Sequence, residues 1–199
     1  TITDQATTNA NITPKSLSMS GLTVAASKVY DQGTQAVVTG TPALITAEAV
    51  GSGSTADGTP YVGDTVSFAG VPIGTYNSPN VLTASQVSYS GLSLTGAQAG
   101  NYSLIIQGPS TATITAKSLS MSGLSVPTSK VYDGTTVAVI TDARALHPAE
   151  AALTGSAIDG IPYTGDTVNF TGTAVGTYNH KDVGTATTVT YTGLGLDNS

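Results

Sequence analysis

The sequence predicts an all-β fold, arranged as two tandem antiparallel β-sandwich domains, and three observations lead there. Glycine occurs 23 times and proline 9 times in 199 residues, which leaves no stretch suited to a long helix. Apolar side chains alternate with polar ones at Val66 and Phe68, Val87 and Tyr89, and Tyr102 and Leu104, the period-two pattern of strands with one wet face. The chain also repeats itself, because an offset of 102 residues lays Lys15-Ser16-Leu17-Ser18-Met19-Ser20-Gly21-Leu22 onto Lys117-Ser118-Leu119-Ser120-Met121-Ser122-Gly123-Leu124 without a mismatch. An immunoglobulin-like sandwich lacking the usual disulfide and tryptophan is the first choice, and a β-grasp-like sheet is the alternative.

Taken in chain order, residues 1–11 resemble the end of a repeat, with Ile2 opposite Leu104 and Ile12-Thr13 opposite Ile114-Thr115. They read as the last strand of a preceding repeat or as the first strand of the unit. Residues 12–113 form the first domain and 114–199 the second, which stops opposite Ala97 and so lacks a last strand of its own; the chain reads as a piece of a longer repeat array. The strand from Leu17 carries a parity change: Leu17 and Met19 share a face, Gly21 intervenes, and the apolar positions resume at Leu22 and Val24. Without an extra residue absorbed at the glycine, the second half would turn outward, so a β-bulge is expected. The same spacing predicts bulges at Gly91, Gly123 and Gly193. Ala43–Val50 and its counterpart Ala143–Leu153 are the one helical expectation. Asp57-Gly58, Asp133-Gly134 and Asp159-Gly160 mark tight turns between strands.

Composition narrows the function classes. With no cysteine, disulfide frameworks, thiolate catalysis and Cys-ligated metals are excluded. A net charge of −6 gives no basic stripe, so nucleic acid is not an expected partner, and no apolar run of membrane-spanning length suggests insertion into a bilayer. Charged residues make up only 9% of the chain while serine and threonine occupy 55 positions, so the surface is mostly hydroxyl and amide.

The segment Lys130-Val131-Tyr132-Asp133-Gly134-Thr135-Thr136, preceded by Ile114-Thr115-Ala116-Lys117-Ser118-Leu119, resembles the YDG repeat of large bacterial surface and secreted adhesins, many of them filamentous-haemagglutinin-like and exported by two-partner secretion. Gly96-Ala97-Gln98-Ala99-Gly100-Asn101-Tyr102 is similar to the end of that repeat. The first copy departs from the motif at Tyr30-Asp31-Gln32-Gly33, where the inserted Gln32 must change the turn. The resemblance implies stalk repeats, secreted or at a bacterial cell surface, that support cell adhesion or biofilm formation. Their partners would be neighbouring repeats of the same chain, with an extracellular glycan or another cell surface as the alternative.

Candidate sites follow from the residues both copies share. Lys28, Tyr30, Asp31 and Gly33, with Lys130, Tyr132, Asp133 and Gly134, form the repeated motif, read as a strand end and turn rather than a sugar platform. Lys28 and Lys130 could instead form an intramolecular amide to an Asn or Asp, a reaction that needs a buried carboxylic acid beside the pair, and Glu48 and Glu150 are the only glutamates. Asp57 with Asp64, and Asp159 with Asp166, place two carboxylates at the ends of an eight-residue segment, a sparse start on a calcium site. Turns flanking a short strand explain the spacing more simply, and no metal or other cofactor is expected. Both histidines, His147 and His180, lie in the second copy, so no base of that type is common to the repeats and the chain reads as non-enzymatic.

Overall fold

In the computed structural model, which describes residue 3 and residues 7–197, the chain is strand and loop with a single turn of 3₁₀-helix. It divides into two compact units, one of Thr1–Lys28 with Thr34–Thr115 and one of Val29–Gly33 with Ala116–Ser199. The strand expected within residues 1–11 falls partly on residues 1, 2 and 4–6, outside the described residues; residues 7–14 carry no strand.

The first unit begins with β1 (Lys15–Val24), whose Leu17, Met19 and Leu22 are buried on one face. Strands β2 (Ser27–Val29), β3 (Gln35–Ala36), β4 (Val38–Leu44), β5 (Ser67–Tyr76) and β6 (Gln86–Thr95) follow, then the 3₁₀ turn Ala99–Asn101, β7 (Tyr102–Ile105), β8 (Ser110–Thr111) and β9 (Thr113–Thr115). They form a sheet ordered β4-β1-β7, a sheet ordered β3-β5-β6-β8, and the short pair β2-β9. Side chains of both larger sheets meet in one core, where Met19, Leu22 and Tyr89 pack with Val24, Val38, Leu44, Phe68, Leu92, Leu104 and Ile106. Two layers thus share one apolar interior, as expected of a sandwich.

Alternation does not encode strand direction, and one pairing differs from the antiparallel expectation. β1 is antiparallel to β4 from Met19↔Leu44 to Val24↔Val38, but parallel to β7 from Lys15↔Tyr102 to Ser18↔Ile105. The strand changes partner at its middle, where the bulge bends it. Beyond the end of β7, the Gln107 side chain continues the pairing: its Oε1 accepts from Leu22 N at 2.9 Å and its Nε2 donates to Leu22 O at 2.8 Å.

Register shifts lie at all four predicted glycines. The ladder skips from Ser20 to Leu22 and from Ser122 to Leu124, and shifts again where Ser90 and Leu92, and Thr192 and Leu194, face their partners. Gly21 has φ +97°, and a Cβ built there would lie 2.2 Å from Thr41 O, so the bulge requires glycine for both conformation and space.

The helical expectation at Ala43–Val50 and Ala143–Leu153 is corrected by the structure. Ala43 and Leu44 end β4, paired with Ser20 and Met19, and Glu48 makes an isolated parallel bridge to Tyr61. Ladder partners override the weak local preference of an alanine-rich stretch. The second unit repeats this, with Ala145 and Leu146 paired to Ser122 and Met121, and Glu150 bridged to Tyr163.

The second unit contains β10 (Met121–Ser125), β11 (Val137–Ala138), β12 (Thr141–Leu146), β13 (Phe170–Tyr178) and β14 (Val189–Leu196), in sheets ordered β10-β12 and β11-β13-β14. Residues 116–120 are not in a strand, although their counterparts Lys15–Ser18 pair with β7. Burial follows pairing: Leu17, Met19 and Leu22 are buried, whereas Leu119, Met121 and Leu124 are half-buried.

Candidate functional site

Each unit builds a charged cluster by bringing a lysine to carboxylates 33 and more positions further along the chain. In the first, the start of β1 turns Lys15 inward, and the Glu48 bridge, made by Glu48 N to Pro60 O (2.9 Å) and Val62 N to Glu48 O (2.7 Å), carries a carboxylate to meet it. Asp57 is fixed by its own turn, in which Oδ2 accepts from Ser54 N at 2.9 Å and Oδ1 from Thr59 N at 3.0 Å. Lys15 Nζ, its side chain only 7% exposed, lies 2.5 Å from Glu48 Oε1, 2.9 Å from Asp57 Oδ1 and 4.3 Å from the centroid of the Tyr61 ring. Burial alone would lower the Lys15 pKa, but the two carboxylates outweigh it and hold the ammonium above the usual lysine range. Asp57 is held well below the usual carboxylate range, first by the Thr59 N–H and then by Lys15.

The second unit repeats the cluster. Lys117 Nζ lies 2.7 Å from Glu150 Oε1, 2.9 Å from Asp159 Oδ1 and 4.1 Å from the Tyr163 ring centroid. Asp159 is lowered to about 2, chiefly by the Ile161 N–H and next by Lys117. The sequence reading did not assign Lys15, Lys117, Tyr61 or Tyr163 to any site. The usable signal was that Lys, Glu, Asp and Tyr of this cluster all recur at the same offset.

The calcium pairs separate in the structure. Asp57 and Asp159 face the lysines, while Asp64 Oδ2 accepts from Tyr102 Oη and Asp166 Oδ1 accepts from Tyr30 Oη at 2.9 Å and from Gln32 Nε2 at 2.7 Å, the last two within the second unit. Burial and then the Asp166 carboxylate push the Tyr30 hydroxyl up to about 12. The same two causes, with Asp64 in place of Asp166, raise Tyr102. Among the described residues, no three His, Asp or Glu side chains converge on a common point.

The Tyr-Asp-Gly segment is a turn held from inside. Asp133 Oδ1 accepts from Thr135 N at 2.9 Å and from Lys130 Nζ at 2.8 Å, and Gly134 takes φ +77°. Lys130 Nζ also donates to Thr135 O and Val137 O, closing the turn onto the following strand. In the first copy Asp31 Oδ1 accepts from Gly33 N at 2.8 Å, and the inserted Gln32 has φ +63°, the left-handed conformation that Gly134 supplies in the other copy. Lys28 lies over the Tyr76 ring at 5.4 Å and Lys130 over Tyr178 at 5.7 Å. The lysines that meet a half-buried glutamate are Lys15 and Lys117, not the pair considered for an amide. That reaction needs a neutral amine, whereas the carboxylates of each cluster hold its lysine charged. His147 and His180 are exposed in loops.

The family model described as YDG domain matches residues 13–113 and again residues 115–199. No curated protein and no solved structure matches the chain.

Proposed function

We propose, from the premise that the chain belongs to the YDG domain family through both of its repeats, that this pair of domains serves as non-enzymatic stalk or spacer repeats of a large bacterial cell-surface or secreted adhesin, supporting cell adhesion or biofilm formation. The observation that carries the reading is the parallel pairing of β1, the first strand of the first unit, with β7. Tension along the chain acts on the start of β1 and, once β9 and β8 have been drawn from β2 and β6, on the finish of β7, pulling the two strands against each other. The ladder is then loaded in shear, with its hydrogen bonds sharing the load instead of opening one by one. A module that transmits force between a cell and a distant binding region needs that geometry.

Inward use of several of the recurring tyrosines supports the same reading. Tyr76 is 4% exposed, Tyr89 8% and Tyr163 3%, so these aromatic rings pack instead of offering a stacking surface. Tyr132, at 56% exposure, is the motif tyrosine most available to a ligand. A glycan array probed with the 199-residue chain separates spacer from carbohydrate-binding module. No reproducible binding is expected; binding that disappears with Tyr132→Ala would move the function to the second class.

A further inference from the structure

Every Asp-Gly pair in the chain carries the same side-chain arrangement. Asp57-Gly58, Asp133-Gly134 and Asp159-Gly160 are the three, and their glycines take φ of +80°, +77° and +78°. In each, the aspartate Oδ1 accepts the N–H two residues on, that of Thr59 at 3.0 Å, Thr135 at 2.9 Å and Ile161 at 3.0 Å. The same oxygen meets a lysine Nζ, that of Lys15 at 2.9 Å, Lys130 at 2.8 Å and Lys117 at 2.9 Å. Asp57 and Asp159 are counterparts, but Asp133 lies in a different turn, so the arrangement arises twice within the repeat. Three of the five lysines in the chain are used in this way.

An Asp-Gly pair is open to self-modification, because glycine has no Cβ to hinder attack by its own amide nitrogen on the preceding aspartate Cγ. The N–Cγ bond forms, a Cγ–O bond breaks, and the amide proton and carboxyl hydroxyl leave as water, closing a succinimide ring. Water then opens the ring at either carbonyl, and opening at the main-chain carbonyl leaves isoaspartate, with one methylene more in the backbone. Only the protonated acid can lose water, since a carboxylate is electron-rich at Cγ and has no leaving group. We propose that the three Asp-Gly turns are latent isoaspartate sites, and that Lys130, Lys15 and Lys117 keep them silent by holding each carboxylate ionised. Asp133 depends most on its lysine: its side chain is 52% exposed, and Lys130 is the first cause of its low pKa, whereas backbone N–H groups come first at Asp57 and Asp159. Lowering Asp133 from the ordinary 3.8 to about 2 cuts its protonated fraction at neutral pH by about sixty-fold.

Ageing the folded 199-residue chain for several weeks at body temperature and neutral pH tests this, with isoaspartate at each site read by peptide mass spectrometry after digestion. Lys130→Met and Lys130→Gln should each raise isoaspartate at Asp133 by about tenfold, short of the full factor because the Thr135 N–H stays in place. Lys130→Arg, which keeps the charge, should stay near the wild type. Asp57 and Asp159 in the same samples should not change, which separates loss of the charge from loss of the fold. Lys117→Met should give a smaller rise, at Asp159 alone, since the Ile161 N–H is the first cause of that low value. No rise with Lys130→Met or Lys130→Gln, or an equal rise with Lys130→Arg, would overturn the proposal. So would a rise at all three sites together, which would mean that the fold and not the lysine charge protects the turns.

Discussion

Single residues decide whether β1 can bury both halves of one face. Gly21 combines φ +97° with a carbonyl oxygen 2.2 Å from where a Cβ would stand, whereas Gly63 has the same φ of +97° and nothing within 4 Å. Gly63→Ala should therefore cost about 1–2 kcal/mol for conformation alone. Gly21→Ala should exceed about 3 kcal/mol, because the sheet must also move. Urea unfolding of the two variants checks the difference, and equal costs would contradict a bulge that needs glycine for space. The charged clusters set a pH dependence. Asp57 and Asp159 have folded pKa values below their unfolded ones, so their contribution is complete above about pH 4 and is lost as pH falls, in the case of Asp159 through about 2. Lys15 and Lys117 are shifted the other way, so theirs is complete below the ordinary lysine value of 10.5 and is lost only as pH rises through the higher folded values. Thermal melting temperature should thus be level from about pH 5 to 10 and fall on either side. With Lys15→Met and Lys117→Met together, the acid-side fall should shrink without vanishing, since the Thr59 and Ile161 N–H groups remain the first cause of the low aspartate values. An unchanged acid limb would contradict the ion pairs.

At the scale of strands, the legible features were those written in local spacing. The apolar parity change around Gly21, Gly91, Gly123 and Gly193 located four register shifts, because a bulge is the only way such a pattern keeps one face inward. Features set by distant partners were not legible. The parallel direction of β7 leaves no trace in alternation, and the alanine-rich stretch at Ala43–Val50 read as helical because its ladder partners, Ser20 and Met19, lie more than twenty residues earlier. The lysine clusters were missed for a related reason. Lys15 sits in a strand whose other polar residues are half-buried or exposed, and its partners Glu48 and Asp57 come from loops well downstream. Only the recurrence of all the cluster residues in the second copy links them in sequence. The Asp57/Asp64 pairing was read from proximity along the chain, whereas folding sends one carboxylate to a lysine and the other to Tyr102.

For the whole molecule, the pairing that matters under load is that of β1, held by β4 on one side and β7 on the other. The YDG family assignment places the same repeat in both halves of the chain. The most direct test of the spacer reading is single-molecule force spectroscopy on the chain held at its two termini. The first unit should unfold in one discrete event that releases about 350 Å of contour length, from roughly a hundred residues at about 3.5 Å each. Smooth extension without a discrete high-force event would contradict a first unit that resists tension through β1 and β7, and with it the function proposed for this pair of domains.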